Sequence, residues 1–331
     1  MNSSSTLPRG GSPPDGEDFV LGIDFGGTKV ALAVARRTGE ILARDRLATD
    51  ARRGAEQVVQ RVMVAAGTLI SEGELLSGGR CAAVGAVSPG IVLPDRILLA
   101  PNVPGWGDLH LAELLADGLG CLPVVVGTDT KAGALAEWRW GSLAGADPAI
   151  FVSLGTGVAA AFVIGGRVLA GAHGGAGEIG YNLLKVKARG RAAGSTLEKS
   201  VAGRALSLRG GALLGHPITA AELFQVAEND SRAARLVSKA LDELAVHIAN
   251  LAMAIDPARI AVGGGMMGSA EMILPALGRR LEQAVPFPPG LVPAHFVLDA
   301  PLRGAIALAA DACATHKQPV VPDVVNDRVD Q

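Results

Sequence analysis

Two stretches of this chain share one plan. Phe19 to Val34 reads FVLGIDFGGTKVALAV, and Ile150 to Ile164 reads IFVSLGTGVAAAFVI. Each is an apolar run, a glycine turn and a second apolar run, which is the pattern of strand, tight turn, strand. Their separation of about 130 residues reads as a duplicated architecture. The 331 residues are too many for one simple core and fit about two domains. Apolar residues make up 49%, enough to bury the sheets and helices of both.

The first unit continues through the turn Arg36-Arg37-Thr38-Gly39 into a third strand over Ile41 to Leu47. Helical spacing of apolar residues predicts a helix over Ala55 to Glu72. Ala82 to Val87 reads as a buried strand ended by Ser88-Pro89-Gly90. A helix follows over Leu109 to Leu119, with Asp108 as its cap. Next come a buried strand over Pro123 to Val126 and a helix over Thr130 to Trp140. After the second unit, Gly165-Gly166-Arg167 turns the chain into a strand beginning at Val168-Leu169. Ala220 to Leu251 reads as helical over most of its length, and Ile260 to Val262 as a strand running into Gly263-Gly264-Gly265. Phe296 to Leu298 reads as a short strand and Gly304 to Ala314 as a helix.

The ends differ from the rest. Met1 to Asp18 is polar, rich in Ser, Pro and Gly, and has no apolar h-region, so it reads as a tail and not a signal peptide. The polar, proline-bearing stretch from about Lys317 reads as a second disordered tail. No uncharged apolar run of about 20 residues appears, which argues against a membrane span and for the cytoplasm. The net charge of −2 gives no basic field for nucleic acid or an anionic membrane. Cys81, Cys121 and Cys313 lie far apart in apolar or alanine-rich surroundings and read as buried free thiols.

Chemistry concentrates in the turns. Asp24-Phe25-Gly26-Gly27-Thr28-Lys29 lets the backbone come close to phosphate oxygens and offer them N–H groups. Asp24 would repel phosphate and suits Mg²⁺ or its waters. No helix follows, so this is not a P-loop. Gly155-Thr156-Gly157 holds the same place in the second unit. With Gly263-Gly264-Gly265, the three loops supply what a nucleotide cleft between two domains needs.

Asp129 follows a buried strand and opens a helix, where a carboxylate serves as a helix cap or accepts a hydroxyl proton, and the two roles are compatible. Asn102 stands among the prolines of Ala100-Pro101-Asn102-Val103-Pro104-Gly105-Trp106, which suits a side chain held toward ring hydroxyls or a plain surface turn. Glu178, in Gly177-Glu178-Ile179-Gly180-Tyr181, and Glu198, after Leu197, offer two carboxylates to neighbouring hydroxyls or to solvent.

Seven segments in order then resemble the ROK group of sugar kinases, within the actin-like/hexokinase ATPase superfamily. They are LGIDFGGTKVALAV, APNVPGW, GTDTKAGALAE, SLGTGVAAAFVIGG, GAHGGAGEIGY, LEKSVAGRAL and DPARIAVGGGM, spanning about Val20 to Ala310. The resemblance implies an α/β fold of two ribonuclease-H-like domains with the active site in the cleft between them. The small domain would run over 19–128, completed by a C-terminal helix at about 304–315, and the larger over 129–303. It implies ATP with Mg²⁺, Asp129 as general base, and Asp24, Gly26, Gly27, Thr28 and Lys29 as the first phosphate loop. Gly155, Thr156 and Gly157 would form the second loop, with Gly263, Gly264 and Gly265 near the adenosine. Asn102, Glu178 and Glu198 would contact the sugar, with Gly90 close by, and the chain would form a homodimer.

The departures from that pattern gather at the acceptor. Tyr181 stands where the family usually has a His that touches the sugar and joins three cysteines on zinc. The cysteine segment is here Lys185 to Thr196 with no cysteine, so no zinc is expected. The family's Asn-Asp-Ala-Asn is Thr128-Asp129-Thr130-Lys131. Lys131 would lower the pKa of the base or touch substrate, or else lie on the helix surface and point away from the site. The pattern implies phosphorylation of a primary hydroxyl on a hexose or a hexose-like ring, including an aminosugar such as kanosamine or a C7-cyclitol. The competing readings are a sugar-responsive non-catalytic regulator and a pseudo-kinase.

Overall fold

The computed structural model describes residues 16–93, 96–100, 103–120, 122–184 and 196–315. Its strands are β1 (Glu17–Phe25), β2 (Lys29–Arg36), β3 (Ile41–Ala48), β4 (Gly78–Ser88), β5 (Ile91–Val92), β6 (Ile97–Leu98), β7 (Val124–Thr128), β8 (Ala149–Leu154), β9 (Val158–Ile164), β10 (Arg167–Val168), β11 (Arg259–Gly263) and β12 (Gly290–Pro293). Its helices are α1 (Ala55–Ser77), α2 (Leu111–Gly118), α3 (Asp129–Trp140), α4 (Glu198–Val201), α5 (Gly203–Leu214), α6 (Ala220–Val226), α7 (Ser231–Ile255), α8 (Ala270–Ala284) and α9 (Ala300–Thr315).

The duplication read from the two glycine hairpins is real. One five-stranded sheet runs β3-β2-β1-β4-β7 and the other β10-β9-β8-β11-β12. In each, an antiparallel meander precedes two parallel strands: β1 pairs β2 antiparallel and β4 parallel, and β8 pairs β9 antiparallel and β11 parallel. This is the two-domain, actin-like α/β architecture. The central strands are buried along most of their length, as strands covered on both faces must be. The edge strand β3 is mostly exposed.

Helix α1 covers one face of the first sheet with Val58, Val59, Val62, Ala66 and Leu69. The opposite face takes α9 through Leu302, Ile306, Ala309 and Cys313 against Val20, Ala33, Ala35 and Ala83. Gly85 makes that approach possible, since a Cβ there would lie 1.9 Å from the Ala305 carbonyl oxygen. Helix α7 packs the second sheet's outer face through Leu244, Ile248 and their neighbours, and helix α3 lies on its other face and against α9. Two ties link the sheets' surroundings: Arg44 to Asp299 at 2.7 Å, and Arg139 to both carboxylate oxygens of Asp311 at 2.8 and 2.9 Å.

Several element readings need correction. Residues 220–251 are helical over most of their length, as expected, but as two helices, because Asp230 caps a new one by accepting from the Arg232 and Ala233 amides at 2.7 and 3.2 Å. Asp108 caps nothing; it sits in the 3₁₀ turn Trp106–Asp108, and α2 starts at Leu111. Phe296 to Leu298 is a turn, and the edge strand lies earlier, at β12. The cause is Glu137, whose carboxylate takes the His295 and Phe296 amides at 3.0 and 2.6 Å and withholds them from a ladder. Cys81 and Cys313 are buried and unbridged, and Cys121 lies outside the described residues.

Candidate active site

The first glycine turn leaves β1 at Asp24-Phe25 and re-enters the sheet at Lys29. The Gly26 amide donates to the Lys29 carbonyl at 3.0 Å and closes the turn. A Cβ on Gly26 would stand 2.7 Å from that same oxygen, so glycine is required there. Thr49, fully buried at the end of β3, braces the loop: its hydroxyl donates to the Gly26 carbonyl at 2.6 Å and its amide to the Thr28 carbonyl at 3.0 Å. Nothing in the sequence around Thr49 marks it for this work.

The second turn is anchored differently. The Gly155 amide donates to the Gly157 carbonyl at 2.9 Å, and the Gly203 amide at the start of α5 donates to the Gly155 carbonyl at 2.9 Å. Gly264, at φ 97°, folds the third glycine segment over the end of β8, where a Cβ would meet the Leu154 carbonyl at 2.4 Å. A Cβ on Gly155 would come to 4.0 Å from the Gly265 amide nitrogen, so the second and third glycine segments are neighbours, with Gly263 closing β11 beside them.

Among the described residues, the N–H groups of Gly27, Thr28, Thr156 and Gly157 have no acceptor. Two turns that each leave two amides unpaired fit a polyphosphate, whose oxygens would take those donors. A Cβ on Gly265 would meet nothing within 4 Å, which leaves open space beside the turns.

Between the turns lies a cluster of carboxylates. Asp129 is the first residue of α3, and its Oδ1 accepts from the Thr130 amide at 2.6 Å and the Thr130 hydroxyl at 3.2 Å. Its Oδ2 has no partner among the described residues and is not sealed from solvent. Burial pushes the Asp129 carboxyl up, while the bonds from Thr130 and then the charge of Lys131 pull it down. Burial also pushes Glu178 up, against the pull of Lys131, with Asp129 and Glu198 adding repulsion. Glu198 opens α4 and accepts from the Val158 amide at 3.3 Å, just beyond the second turn. A Cβ on Gly157 would lie 2.6 Å from that carboxylate. Asp24, Asp129, Glu178 and Glu198 therefore form one continuous acidic field joining the first two glycine turns.

Lys131 does not point away from Asp129. Its Nζ donates to the Gly174 carbonyl at 2.8 Å, and it is the cation that Asp129 and Glu178 both feel. Gly90 turns the chain after β4 at φ 90°, where a Cβ would meet the Leu98 carbonyl at 2.3 Å. Tyr181 ends a 3₁₀ turn at 38% exposure. Asn102 and residues 185–195, where the resemblance puts the lost zinc ligands, lie outside the described residues. Beside Asn102, the Trp106 indole donates to the Ser88 hydroxyl at 2.8 Å and its ring stands 5.2 Å from that of Phe25. These contacts form an apolar wall against the first turn.

Asp24 carries the largest electrostatic cost here. Burial, with repulsion from Asp129, lifts its carboxyl from its ordinary 3.8 to about 7, against the pull of Lys29. The folded state therefore binds a proton that the unfolded chain releases. The Mg²⁺-free protein should lose stability as pH rises from about 4 to 7 through this group, and level off above. Asp24→Asn should match the parent below pH 4 and exceed it by on the order of 3 kcal/mol at pH 8. Urea unfolding of both proteins at several pH values measures this; equal stability at pH 8 would refute it.

The chain resembles known proteins over most of its length. It is 29% identical over 284 residues to the glucokinase of Halalkalibacterium halodurans, covering 80% of this chain and 85% of that one. It is 31% identical over 294 residues to the N-acetylmannosamine kinase of Escherichia fergusonii, covering 87% and 97%. Among solved structures, it superposes on a ROK family glucokinase from Streptomyces griseus, in complex with glucose and AMPPNP, with a TM-score of 0.71. Identity there is 28%, over 88% of this chain and 99% of that one. Residues 20–312 match the ROK family from end to end, and the chain belongs to that family.

Proposed function

We propose that this protein is an ATP-dependent sugar kinase that phosphorylates a primary hydroxyl of a hexose or hexose-like ring. The observation that carries the reading is Asp129: a carboxylate with one oxygen fixed by Thr130 and the other open, set between two turns with unpaired amides. Relatives named as a glucokinase and an N-acetylmannosamine kinase, and a related structure holding glucose and AMPPNP, support the sugar and the nucleotide.

In this reading the amides of Gly27, Thr28, Thr156 and Gly157 hold the phosphates, with Asp24, Gly26 and Lys29 flanking the first turn and Gly155 the second. Gly263, Gly264 and Gly265 border the adenosine. Mg²⁺ would be held mainly by the nucleotide's phosphates, with Asp24 the residue to reach it through water, and would supply charge neutralisation at the transferred phosphoryl group. Asn102, Glu178, Tyr181 and Glu198 hold the acceptor ring, with Gly90 shaping the loop beside it. The Asp129 Oδ2 takes the proton of the acceptor hydroxyl as that oxygen bonds to the γ-phosphorus, and ADP leaves with the bridging oxygen's electron pair. A small domain over 19–128 with α9, a larger domain over 129–303, a homodimer and a cytoplasmic location complete the proposal.

The test is ADP release, coupled to a dehydrogenase readout, over glucose, N-acetylmannosamine, kanosamine and C7-cyclitols. Turnover on at least one supports the reading; none on any sinks it. A second expectation concerns Lys131. Its charge holds the Asp129 pKa down, so Lys131→Met should raise that pKa and move the acidic limb of kcat/KM to higher pH. A pH profile that does not move would remove Lys131 from the base's environment.

A further inference from the structure

Helix α7 carries two polar side chains inside an otherwise apolar face. Glu243 and His247 stand one turn apart, both half-buried, among Leu241, Leu244 and Ile248. Neither is needed to bury that face. Each instead reaches a different stretch of chain on the acceptor side of the site.

His247 Nδ1 meets the Asn182 side-chain amide at 3.2 Å, and Asn182 directly follows Tyr181. Burial pushes the His247 imidazole down, which favours the neutral ring that can accept this bond. Glu243 accepts a short hydrogen bond from the Ser200 hydroxyl, in the helix that Glu198 opens. Arg209 of α5 closes the arrangement, donating to the Ser200 carbonyl and hydroxyl at 2.5 and 3.0 Å. The two stretches also hold each other: Leu183 bridges Thr196, and the Leu197 amide donates to the Asn182 carbonyl at 2.8 Å.

We infer that Glu243 and His247 are positioning residues for acceptor binding. Through Ser200 and Asn182 they fix the paired stretches that present Glu198 and Tyr181. The inference rests on the acceptor roles proposed above for those two residues. Apolar packing of Leu197 and Val201 keeps α4 on the core, but such contacts tolerate sliding, whereas a hydrogen-bond pair fixes the register. Neither side chain hydrogen-bonds a glycine turn itself, but α4–α5 reaches the second turn through Glu198 beside Gly157 and Gly203 on Gly155, so changing them should weaken acceptor binding more than nucleotide binding.

The chain has a single tyrosine, Tyr181, so protein made with 3-fluorotyrosine gives one fluorine resonance from the acceptor side itself. His247→Leu and Glu243→Leu should shift or broaden that line. They should raise the acceptor KM on the order of tenfold, with a smaller rise in the ATP KM and kcat within about twofold, since a displaced hydrogen-bonding contact costs roughly one factor of ten. Glu243→Gln keeps an acceptor for Ser200 and should restore both readouts. Should a leucine variant fail to unfold cooperatively, Ser200→Ala breaks the same link with less disturbance and decides the matter. An unmoved fluorine line with an unchanged acceptor KM overturns the inference, as does an equal rise in both KM values, which would mean general loosening. A parent protein that phosphorylates no sugar refutes the kinase reading instead, and the fluorine line then decides the positioning role by itself.

Discussion

Asp129→Asn should lower kcat by about 10³-fold, within the range expected for loss of a general base, while the fold and the acceptor KM change little. Asparagine keeps the shape of the side chain. Its carbonyl oxygen can still accept from the Thr130 amide and hydroxyl, as Oδ1 does now. What disappears is the basicity of the open oxygen. Burial makes that carboxylate more basic than one in water, while the bonds from Thr130 and then the charge of Lys131 limit the rise, and a raised basicity suits a proton acceptor. Steady-state rates beside a thermal melt separate chemistry from folding. A variant that folds normally and keeps more than about a tenth of the parent kcat would disprove the assignment.

Glu137→Ala should cost about 3–5 kcal/mol of stability, as loss of a buried, fully used charged group does. Glu137 is 0% exposed, and its carboxylate accepts from three backbone amides: Ser142 at 2.7 Å, His295 at 3.0 Å and Phe296 at 2.6 Å. Alanine would strand all three donors and leave a cavity at the end of α3. The bonds at 293–296 also set the turn into α9, so the loss would reach the first sheet as well as the second. Glu137→Gln retains one acceptor oxygen and should cost roughly half as much. Denaturant midpoints for both variants test the order; a loss below about 1 kcal/mol for the alanine variant would show that water replaces the carboxylate.

Much of the fold was legible because its strongest signals are local. The hairpins at Asp24–Lys29 and Leu154–Val158 announce themselves through continuous apolar runs on either side of glycine turns. Asp129 was legible for the same reason, since it lies between a buried strand and a helix. What escaped were side chains whose partners are distant in sequence. Glu137 bonds residues more than 150 positions away, and it turned a plausible strand at Phe296 into a turn. Thr49 braces a loop 23 positions earlier. Lys131 could be read as facing solvent or substrate until Gly174 fixed where it points. Periodicity carries no information about such pairs, because each member alone looks like an ordinary polar residue.

The placement of α9 bears on how the protein is made. The sheet begun at Glu17 presents Val20, Ala33, Ala35 and Ala83 to a helix that starts at Ala300. A ribosome adding about 5–20 residues per second leaves that face uncovered for many seconds after its strands have emerged. Gly22 and Gly85 deepen the problem, for without α9 their strands expose backbone as well as apolar side chains. The first half of the chain should therefore be the more chaperone-dependent half during synthesis, though its strands emerge first.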